Sequence, residues 1–207
     1  MAAVGLRPPR GDATVAAMVR LTDLPDFSGS SLDALAQWAR SDAPPPVERW
    51  NPAHCGTIDI RIAGDGRWFH EGRVITRPAM VRLFSRVLRR EEDGSFVLVT
   101  PAEKMSIVVE DAPFLAVEMK QEGEGADTRL AFRLNTGEVV VADAQHPLVL
   151  REGPAGLLPY LHVRTAGAGV LEARLARPVY YALAELADAH GKVCSAGQTF
   201  TIGEVAE

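Results

Sequence analysis

The stretch IRIAGDGRWF, residues 60–69, decides the fold, because a similar stretch, VRTAGAGVLE, follows at residues 163–172. The two runs share an arginine and two glycines at matching positions. With a three-residue gap in the alignment, the arginines of two Arg-Pro pairs, Arg77 and Arg177, also match, and each pair begins a predicted helix. We therefore predict a duplicated strand–turn–strand–helix–strand unit whose copies lie about 100 residues apart. Chance similarity between two short, glycine-rich runs is the alternative.

Strand-like and helix-like patterns fill the neighbouring parts of the chain. GTIDIRI (56–62) alternates apolar and polar side chains, which is typical of a half-buried strand. Residues 77–90 form the clearest predicted helix, because apolar residues recur there at helical spacing. After Gly94, seven segments are predicted as strands, and a last amphipathic helix covers roughly residues 178–189. These patterns predict an α+β fold of two related strand-rich halves, each with a strand–turn–strand–helix unit.

Three regions follow from the distribution of these patterns. Residues 1–29 contain few large apolar groups and are predicted to be a mobile tail. Residues 30–110 are predicted to form an N-terminal α+β domain, which opens with a short helix over residues 30–40. Residues 111–207 are predicted to form a C-terminal domain, and the boundary is expected between residues 94 and 113.

The composition is that of a globular chain, with 47% hydrophobic residues and a mean hydropathy of zero. A net charge of −5 does not support a nucleic-acid partner, which would favour a basic protein. No stretch approaches the roughly 20 apolar residues of a membrane span, so we expect a cytoplasmic protein without a membrane partner. The 19 arginines against 3 lysines fit either anion recognition or a GC-rich genome.

Residues 61–90 carry eight arginines and two acids, which makes this region locally basic. Arg82, Arg86 and either Arg89 or Arg90 are predicted on the helix face opposite the apolar stripe, where guanidinium groups could bind phosphate, and Arg90 is taken as the third candidate. A solvated helix face whose arginines pair with nearby acids is the alternative interpretation.

Several polar residues farther along the chain are candidates for the same ligand. Lys104 could contact an anion, and Asp111 could accept hydrogen bonds from a sugar or base edge. A charged strand edge that opposes aggregation is the alternative for both. Tyr160 and Arg164 lie four residues apart on one predicted strand, so they would share a face and could hold a planar anion. His146 lies in a predicted loop, where binding groups are common, although simple hydrogen bonding would also explain it.

WNPAHCGTIDI (50–60) holds the remaining candidates. Trp50 and Asn51 are predicted to form an aromatic anchor and a turn, although the indole could also stack on a base. Cys55 could be a nucleophile if a histidine base lay beside it, but we expect a buried thiol at a strand start. No metal is predicted, because His54, Cys55 and a nearby acid lack the close ligand pair of a zinc site. The common nucleotide-binding motifs are missing, and no cofactor is predicted.

The runs PPPVERWNPAHCGTIDIRIAGDGRWFHEG and VRLFSRVLRREEDGSFVLVTPAEKMSIVVEDAPFLAV, followed by HPL, PYLHVR and LEARLARPVYY, resemble the bacterial domain-of-unknown-function family 1285. The resemblance covers about residues 44–188. It implies a duplicated α+β core whose C-terminal half is a pleckstrin-homology-like bent barrel capped by a helix, and the seven strands predicted after Gly94 agree with such a barrel. It also implies a suspected ligand site in the crevice between the halves, a nucleotide-like or nucleic-acid-like ligand and a signalling role, with no established reaction.

We therefore predict a non-enzymatic ligand-binding or signalling protein that takes a small anionic, nucleotide-like molecule between its halves. Lys104, Arg164 and the arginine-rich helix would then converge on one concave surface. Two alternatives stay open at this point. The first is a hydrolase or transferase that uses Cys55 with a histidine, and the second is a protein-interaction module without a small ligand.

Overall fold

The computed structural model describes residues 45–153 and 156–203. The tail predicted over residues 1–29 and the helix predicted over residues 30–40 lie outside these described residues. Two six-stranded sheets, two α-helices and one two-stranded hairpin make up most of the described chain. Short 3₁₀ turns occur at Val47–Arg49 and Gly125–Asp127.

The N-terminal half forms one sheet in the order β3-β2-β1-β6-β5-β4. The two central strands, β1 and β6, run parallel, and every other neighbouring pair is antiparallel. Helix α1 connects β3 at one edge to β4 at the other. The bounds are β1 (His54–Ile62), β2 (Trp68–His70), β3 (Arg73–Val74), α1 (Pro78–Arg86), β4 (Leu88–Arg90), β5 (Phe96–Val99) and β6 (Glu103–Val109).

The C-terminal half forms a second sheet, in the order β9-β8-β7-β12-β11-β10, with β7 and β12 parallel at its centre. Helix α2 follows β12 and packs against β7. A final hairpin of β13 and β14 closes the described chain. The bounds are β7 (Phe114–Glu122), β8 (Arg129–Leu134), β9 (Val139–Val141), β10 (Leu148–Gly153), β11 (Gly156–Ala166), β12 (Gly169–Leu175), α2 (Arg177–Ala184), β13 (Lys192–Ser195) and β14 (Gln198–Thr201).

The two halves share one topology, which confirms the predicted two-half α+β architecture. In each half, two three-stranded meanders meet through a parallel pair formed by the first and the last strand. Within the described residues, the edge strands β9 and β10 do not pair with each other, so the C-terminal half is an open sheet rather than a closed barrel. A strand–turn–strand–helix unit is present in both halves, as predicted.

The spacing predicted for the duplication differs from the spacing that the sheets show. Residues 60–69 belong to the β1–β2 hairpin, whose topological counterpart is β7–β8, about 60 residues later in the chain. Residues 163–172 belong to the β11–β12 hairpin, which corresponds to β5–β6 instead. The similar runs therefore reflect the same turn chemistry, in which glycine permits a tight hairpin, and not equivalent positions in the repeat.

The seven strands predicted after Gly94 are all present in the structure. The sequence patterns missed β10, β13 and β14. The start of β10 was assigned to the predicted loop that holds His146, and β13 and β14 each contain few apolar residues. The last helix, predicted at roughly residues 178–189, ends at Ala184. Within the part of the chain that the structure describes, no α-helix has the length and apolarity needed to cross a bilayer.

Helix α1 ends earlier than the apolar spacing predicted. The prediction covered residues 77–90, but α1 stops at Arg86, and Leu88–Arg90 form strand β4 against β5. Leu88 is fully buried and pairs with Leu98, so the tertiary partner decides the conformation of this segment. Arg90 therefore lies on a strand and not on the predicted helix face.

The outer side of α1 is less buried than the predicted apolar stripe implied. Phe84 is half-buried and stacks on the buried Trp68, with ring centroids 6.3 Å apart. Met80 and Leu83, two of the apolar residues whose helical spacing predicted a core-facing stripe, are exposed. The helix therefore anchors itself through a few side chains and leaves an apolar surface outside.

One hydrophobic core extends through both halves. Its buried members come from the N-terminal sheet, for example Ile60 and Leu88, and from the C-terminal sheet, for example Phe114, Phe132 and Leu161. Each sheet has one apolar face, and the two apolar faces are removed from water when they pack into one shared core. The halves are thus parts of one packed body.

The halves touch most closely where β4 meets the turn between β11 and β12. Arg90 and Gly167 form an isolated parallel bridge, and the backbone N–H of Ala168 donates to the Arg90 carbonyl at 2.9 Å. Gly167 has a positive φ of 75°. A Cβ on Gly167 would lie 2.5 Å from both the Arg90 carbonyl oxygen and Arg89 Cγ. Only glycine allows this close approach.

We expect Gly167→Ala to destabilise the protein more than Gly197→Ala. Gly197 has a similar φ of 72°, but a Cβ there would meet nothing within 4 Å. The control should cost about 1–2 kcal/mol of left-handed strain. Gly167→Ala should cost about 1–3 kcal/mol more through the steric conflict. Urea denaturation of both variants measures the difference, and equal costs would show that the contact between β4 and the β11–β12 turn contributes little.

Candidate functional site

Two adjacent acids, Glu110 and Asp111, lie in the connector between β6 and β7. The Glu110 carboxylate accepts a hydrogen bond from the backbone N–H of Gly64 at 2.9 Å and one from the Arg61 guanidinium. The Gly64 hydrogen bond and then the Arg61 contact hold the pKa of Glu110 below its usual range. Because Arg61 and Gly64 belong to the N-terminal half, Glu110 fastens the connector to that half.

Asp111 fastens the same connector to the C-terminal half. Its side chain is only 1% exposed. The carboxylate accepts hydrogen bonds from the Tyr160 hydroxyl at 2.8 Å and from Arg151 at 3.0 Å, and Arg174 Nε lies 3.3 Å away. Burial, and then the contact with Asp111, raise the pKa of Tyr160 to about 12. A buried carboxylate needs such partners, because its charge has been removed from water.

A wider polar network surrounds this carboxylate. Glu172 Oε2 lies 3.3 Å from Arg151 Nε, and Glu172 Oε1 lies 3.3 Å from His162 Nε2. The Arg151 guanidinium also stacks 3.8 Å above the centroid of the Tyr160 ring. We call this group the Asp111 cluster; its members are Asp111, Arg151, Tyr160, His162, Glu172 and Arg174.

Three buried atoms of the Asp111 cluster have no well-directed hydrogen bond, namely Asp111 Oδ2 and the Nε atoms of Arg151 and Arg174. Each lies 3.3 Å from an opposite charge, so the interaction is electrostatic rather than a directed hydrogen bond. With two carboxylates and two guanidinium groups, the cluster neutralises itself. The cluster is a buried network of ion pairs that fixes the connector between the halves, and we call it the joint between the halves.

Arginine guanidinium groups of the C-terminal half also donate hydrogen bonds to backbone carbonyls of the N-terminal half. Arg174 donates to the Gly64 carbonyl, and Arg164 donates to the Ser85 carbonyl at 2.5 Å. Asn135 makes a similar hydrogen bond between the halves, because its side-chain Nδ2 donates to the Gly66 carbonyl at 2.8 Å. Two of the six arginines in the C-terminal half therefore donate hydrogen bonds that hold the halves together.

A crevice of about 450 Å³ opens between the halves, next to the contact of β4 with the β11–β12 turn. We call it the inter-half crevice. Both halves contribute to its lining, which consists of Glu48, Arg89, Arg90, Glu91, Glu92, Asp93, Gly167 and Ala168.

Two ion pairs that share Glu91 stabilise one wall of the inter-half crevice. The buried Arg89 donates through Nε to Glu91 at 2.6 Å and through a terminal nitrogen to the Trp50 carbonyl at 2.6 Å. Lys104 Nζ donates to the other oxygen of Glu91 at 2.9 Å, which raises the pKa of Lys104. Burial by itself raises the pKa of Glu91, but the hydrogen bonds from Arg89 and Lys104 outweigh it, and the pKa lies below its usual range.

Arg90 is the cation that faces the crevice with the most donor capacity. One terminal nitrogen donates weakly to the Val170 carbonyl at 3.4 Å, and the guanidinium lies 5.4 Å from the centroid of the Phe96 ring. Four carboxylates and two arginines line the crevice, so its lining carries both signs of charge with an acidic excess.

The structure places the predicted site residues in several groups. Trp50, Arg90 and Lys104 lie in or beside the wall of the inter-half crevice, whereas Asp111 and Tyr160 belong to the Asp111 cluster. The remaining predicted residues are the exposed Asn51, Arg82 and Arg86 on α1, His146 and Arg164. His146 Nδ1 lies 3.0 Å from Asp143 in its own loop.

The prediction that Tyr160 and Arg164 share a face of their strand is wrong. A register shift between His162 and Arg164 interrupts the alternation of β11, so Tyr160 pairs with Arg174 whereas Arg164 pairs with Leu171. Arg164 consequently lies 5.0 Å from the centroid of the Phe114 ring and binds Glu138 at 3.0 Å. Sequence alternation alone does not reveal a bulge.

Cys55 is exposed, whereas a buried thiol was predicted. It lies near the start of β1, beside Lys104 on the parallel strand β6, and its Sγ is 3.9 Å from the Pro52 carbonyl. In residues 45–153 and 156–203, no histidine ring lies within hydrogen-bond distance of Cys55. Over the same ranges, no three His, Cys, Asp or Glu side chains form a group suited to a metal ion.

Sequence analysis did not single out Arg151, Glu172 and Arg174 of the Asp111 cluster, or Glu91 of the crevice wall. A usable signal exists for two of them. In LEARLA, the charged residues Glu172 and Arg174 alternate with apolar residues that are fully buried, which indicates a polar sheet face. The partner of that face comes from a distant connector and is visible only in three dimensions.

The fold places the chain in the class of two-half α+β proteins, because it consists of two six-stranded sheets with one shared topology. The model of the "Domain of unknown function (DUF1285), N-terminal domain" matches residues 45–112, and that of the "Protein of unknown function (DUF1285), C-terminal domain" matches residues 113–202. The chain belongs to the DUF1285 family.

Two solved structures are similar to this chain. A DUF1285 family protein from Silicibacter pomeroyi DSS-3 is 43% identical, with a TM-score of 0.72, and the match covers 83% of this chain and 95% of that one. A DUF1285 family protein from Shewanella baltica OS155 is 24% identical, with a TM-score of 0.46, and the match covers 59% and 87% of the respective chains. A comparison with curated protein sequences gives no match.

We expect Asp111→Asn to destabilise the protein by about 3 kcal/mol, because it leaves two half-buried guanidinium groups without their shared carboxylate. Glu118→Gln is the matched control, since Glu118 forms an exposed pair with Arg133 whose loss should cost about 0–1 kcal/mol. Urea denaturation gives both values. A similar small loss in both variants would contradict the role of Asp111 as the joint between the halves.

The pKa of Tyr160 predicts a loss of stability at alkaline pH. The folded protein holds the phenol proton more strongly than the unfolded chain, so this contribution is complete below pH 10 and is lost as the pH rises towards about 12. The difference in phenolate absorbance between the wild type and Tyr160→Phe isolates this ionisation. A midpoint near the ordinary value of 10 would show that the contact with Asp111 is weak.

Proposed function

We propose that the protein is a non-catalytic binding protein whose ligand occupies the inter-half crevice. One observation carries the proposal: residues of both halves line a single space of about 450 Å³, at the point where the halves touch most closely. Ligand sites are commonly found in such clefts between structural units. A ligand there would contact both halves at once.

The charges in the crevice support a ligand with groups of both signs. Arg90 offers a guanidinium that can pair with one carboxylate or phosphate group. Glu48, Glu92 and Asp93 would attract a cationic group and would repel a ligand that carries several negative charges. A small zwitterion therefore fits better than the strongly anionic, nucleotide-like molecule predicted from the sequence.

The carboxylates of the crevice are better suited to binding than to proton transfer. Hydrogen bonds from the hydroxyl and backbone N–H of Ser95 lower the pKa of Asp93, and the pKa of Glu91 is lowered by Arg89 and Lys104. A general acid or base works best when its pKa lies near the working pH. These two groups stay charged at neutral pH, which supports a binding role.

A signalling role would follow from the position of the crevice. A ligand that bridges β4 and the β11–β12 turn would stiffen the junction between the halves, and a partner could sense that change. The cytoplasmic location, the Cys55-dependent reaction and the interaction module without a small ligand remain predictions from the sequence.

A thermal-shift screen tests the proposal with three sets of probes: amino acids and dipeptides, nucleoside phosphates with inorganic phosphate, and linear polyamines. We expect a zwitterionic probe to raise the melting temperature by about 5–10 °C at about 100 times its Kd. Arg90→Gln should abolish the shift. Arg67→Gln is the matched control, because it removes the same charge from an exposed arginine that pairs with Asp65 outside the crevice.

The possible results separate the alternatives. A shift that survives Arg90→Gln would place the ligand elsewhere and contradict the proposed site. A shift from nucleoside phosphates alone would restore the strongly anionic ligand predicted from the sequence, and a shift from polyamines alone would assign a purely cationic one. The absence of any shift across the three sets would contradict binding of a small charged ligand.

A further inference from the structure

An exposed apolar patch lies on and beside α1. Val74, Met80 and Leu83 are 42%, 38% and 59% exposed, and they fall within ten residues of the chain. The described residues contain seven large exposed hydrophobic side chains, so nearly half of them are concentrated here. Clustered exposed apolar side chains, unlike scattered ones, mark a surface that binds something.

The stretch of chain that carries these apolar residues is basic. The sequence between Glu71 and Glu91 contains six arginines and no acid. Arg89 and Arg90 lie on β4 and are used in the crevice wall. Of the other four, Arg73 lies on β3, and Arg77, Arg82 and Arg86 lie on α1 or immediately before it. We call this surface the arginine-helix surface; it consists of Arg73, Val74, Arg77, Met80, Arg82, Leu83 and Arg86. An occupant should be acidic and should carry large apolar side chains.

A segment of this chain that precedes the described residues has that chemistry. Residues 21–44 contain four aspartates and one arginine. They also contain six large apolar residues, namely Leu21, Leu24, Phe27, Leu32, Leu35 and Trp38. The sequence predicts a helix over residues 30–40 in this segment.

The chain enters the described structure close to α1. Arg89 holds the carbonyls of Val47 and Trp50 at 3.1 and 2.6 Å, so the segment that starts at Pro45 is fixed to β4. Strand β4 begins two residues after the end of α1. Helix α1 has nine residues and is about 13 Å long. An extended APPP run reaches about 12 Å, so a helix over residues 30–40 can lie along α1.

We propose that residues 21–44 dock on the arginine-helix surface of the same molecule. The leucines of the segment cover Val74, Met80 and Leu83, and its aspartates face the arginines. Tethering through Arg89 gives the segment a local concentration in the millimolar range, which favours this contact over one with a separate molecule.

Thiol labelling of the full chain tests the proposal. Leu83→Cys and Val108→Cys are a matched pair, because Leu83 on α1 and Val108 on β6 are 59% and 57% exposed. We expect maleimide to label Leu83→Cys about tenfold more slowly than Val108→Cys, at a docked fraction of about nine tenths. Peptide mapping separates these thiols from the native Cys55 and Cys194.

A second substitution identifies the covering segment. Leu35→Asp should bring the labelling of Leu83→Cys to within about twofold of that of Val108→Cys, because a buried charge disfavours docking. Val15→Asp, which lies outside residues 21–44, should leave the protection unchanged. Protection must also be independent of protein concentration.

Three outcomes would overturn the proposal. Equal labelling of Leu83→Cys and Val108→Cys would show that nothing covers the surface. Protection that rises with protein concentration would assign the surface to a second copy of the chain. Protection that is unaffected by Leu35→Asp, or that requires an added acidic protein, would assign it to another occupant.

Discussion

The buried carboxylate of Asp111 is the interaction on which the arrangement of the two halves depends. A charge that is removed from water is tolerated only where donors surround it, and the donors of Asp111 come from β10, β11 and β12. The preceding residue, Glu110, is held by Arg61 and Gly64 in the other half. The connector therefore has little freedom, and the shared hydrophobic core adds the apolar contribution.

The two halves repeat a topology without repeating the placement of their helices. Helix α1 joins the two meanders of the N-terminal sheet, whereas α2 follows the last strand of the C-terminal sheet. Helix α1 leaves Met80 and Leu83 exposed on the arginine-helix surface. The β11–β12 turn lies against β4, beside the inter-half crevice.

The arginines of the chain serve different physical purposes according to their burial. Arg89 is buried, and Arg164 and Arg174 are largely so; they donate to backbone carbonyls and carboxylates, where a planar fork with five donors is useful. Arg90 both contacts the other half, through the Val170 carbonyl, and faces the crevice, where it can bind a ligand. An arginine excess therefore reflects the joint between the halves as well as any ligand.

The sequence by itself determined the family, the two-half α+β architecture, and the strands with clear alternation or apolar runs, such as β1 and β8. Alternation and turn glycines act over a few residues, so they can be recognised without knowledge of the rest of the chain. It also indicated Asp111, Tyr160, Arg90 and Lys104 as residues of interest, from residue type, position and the family resemblance.

Only the tertiary structure decided how these residues are used. Strand pairing with β5 converted the end of a predicted helix into β4, and a bulge in β11 turned Arg164 away from Tyr160. The true repeat was visible only as strand order, because the similar hairpins occupy different places in the two sheets. The Asp111 cluster and the crevice wall join residues tens of positions apart, and no local pattern encodes such contacts, since they form only when the sheets pack together.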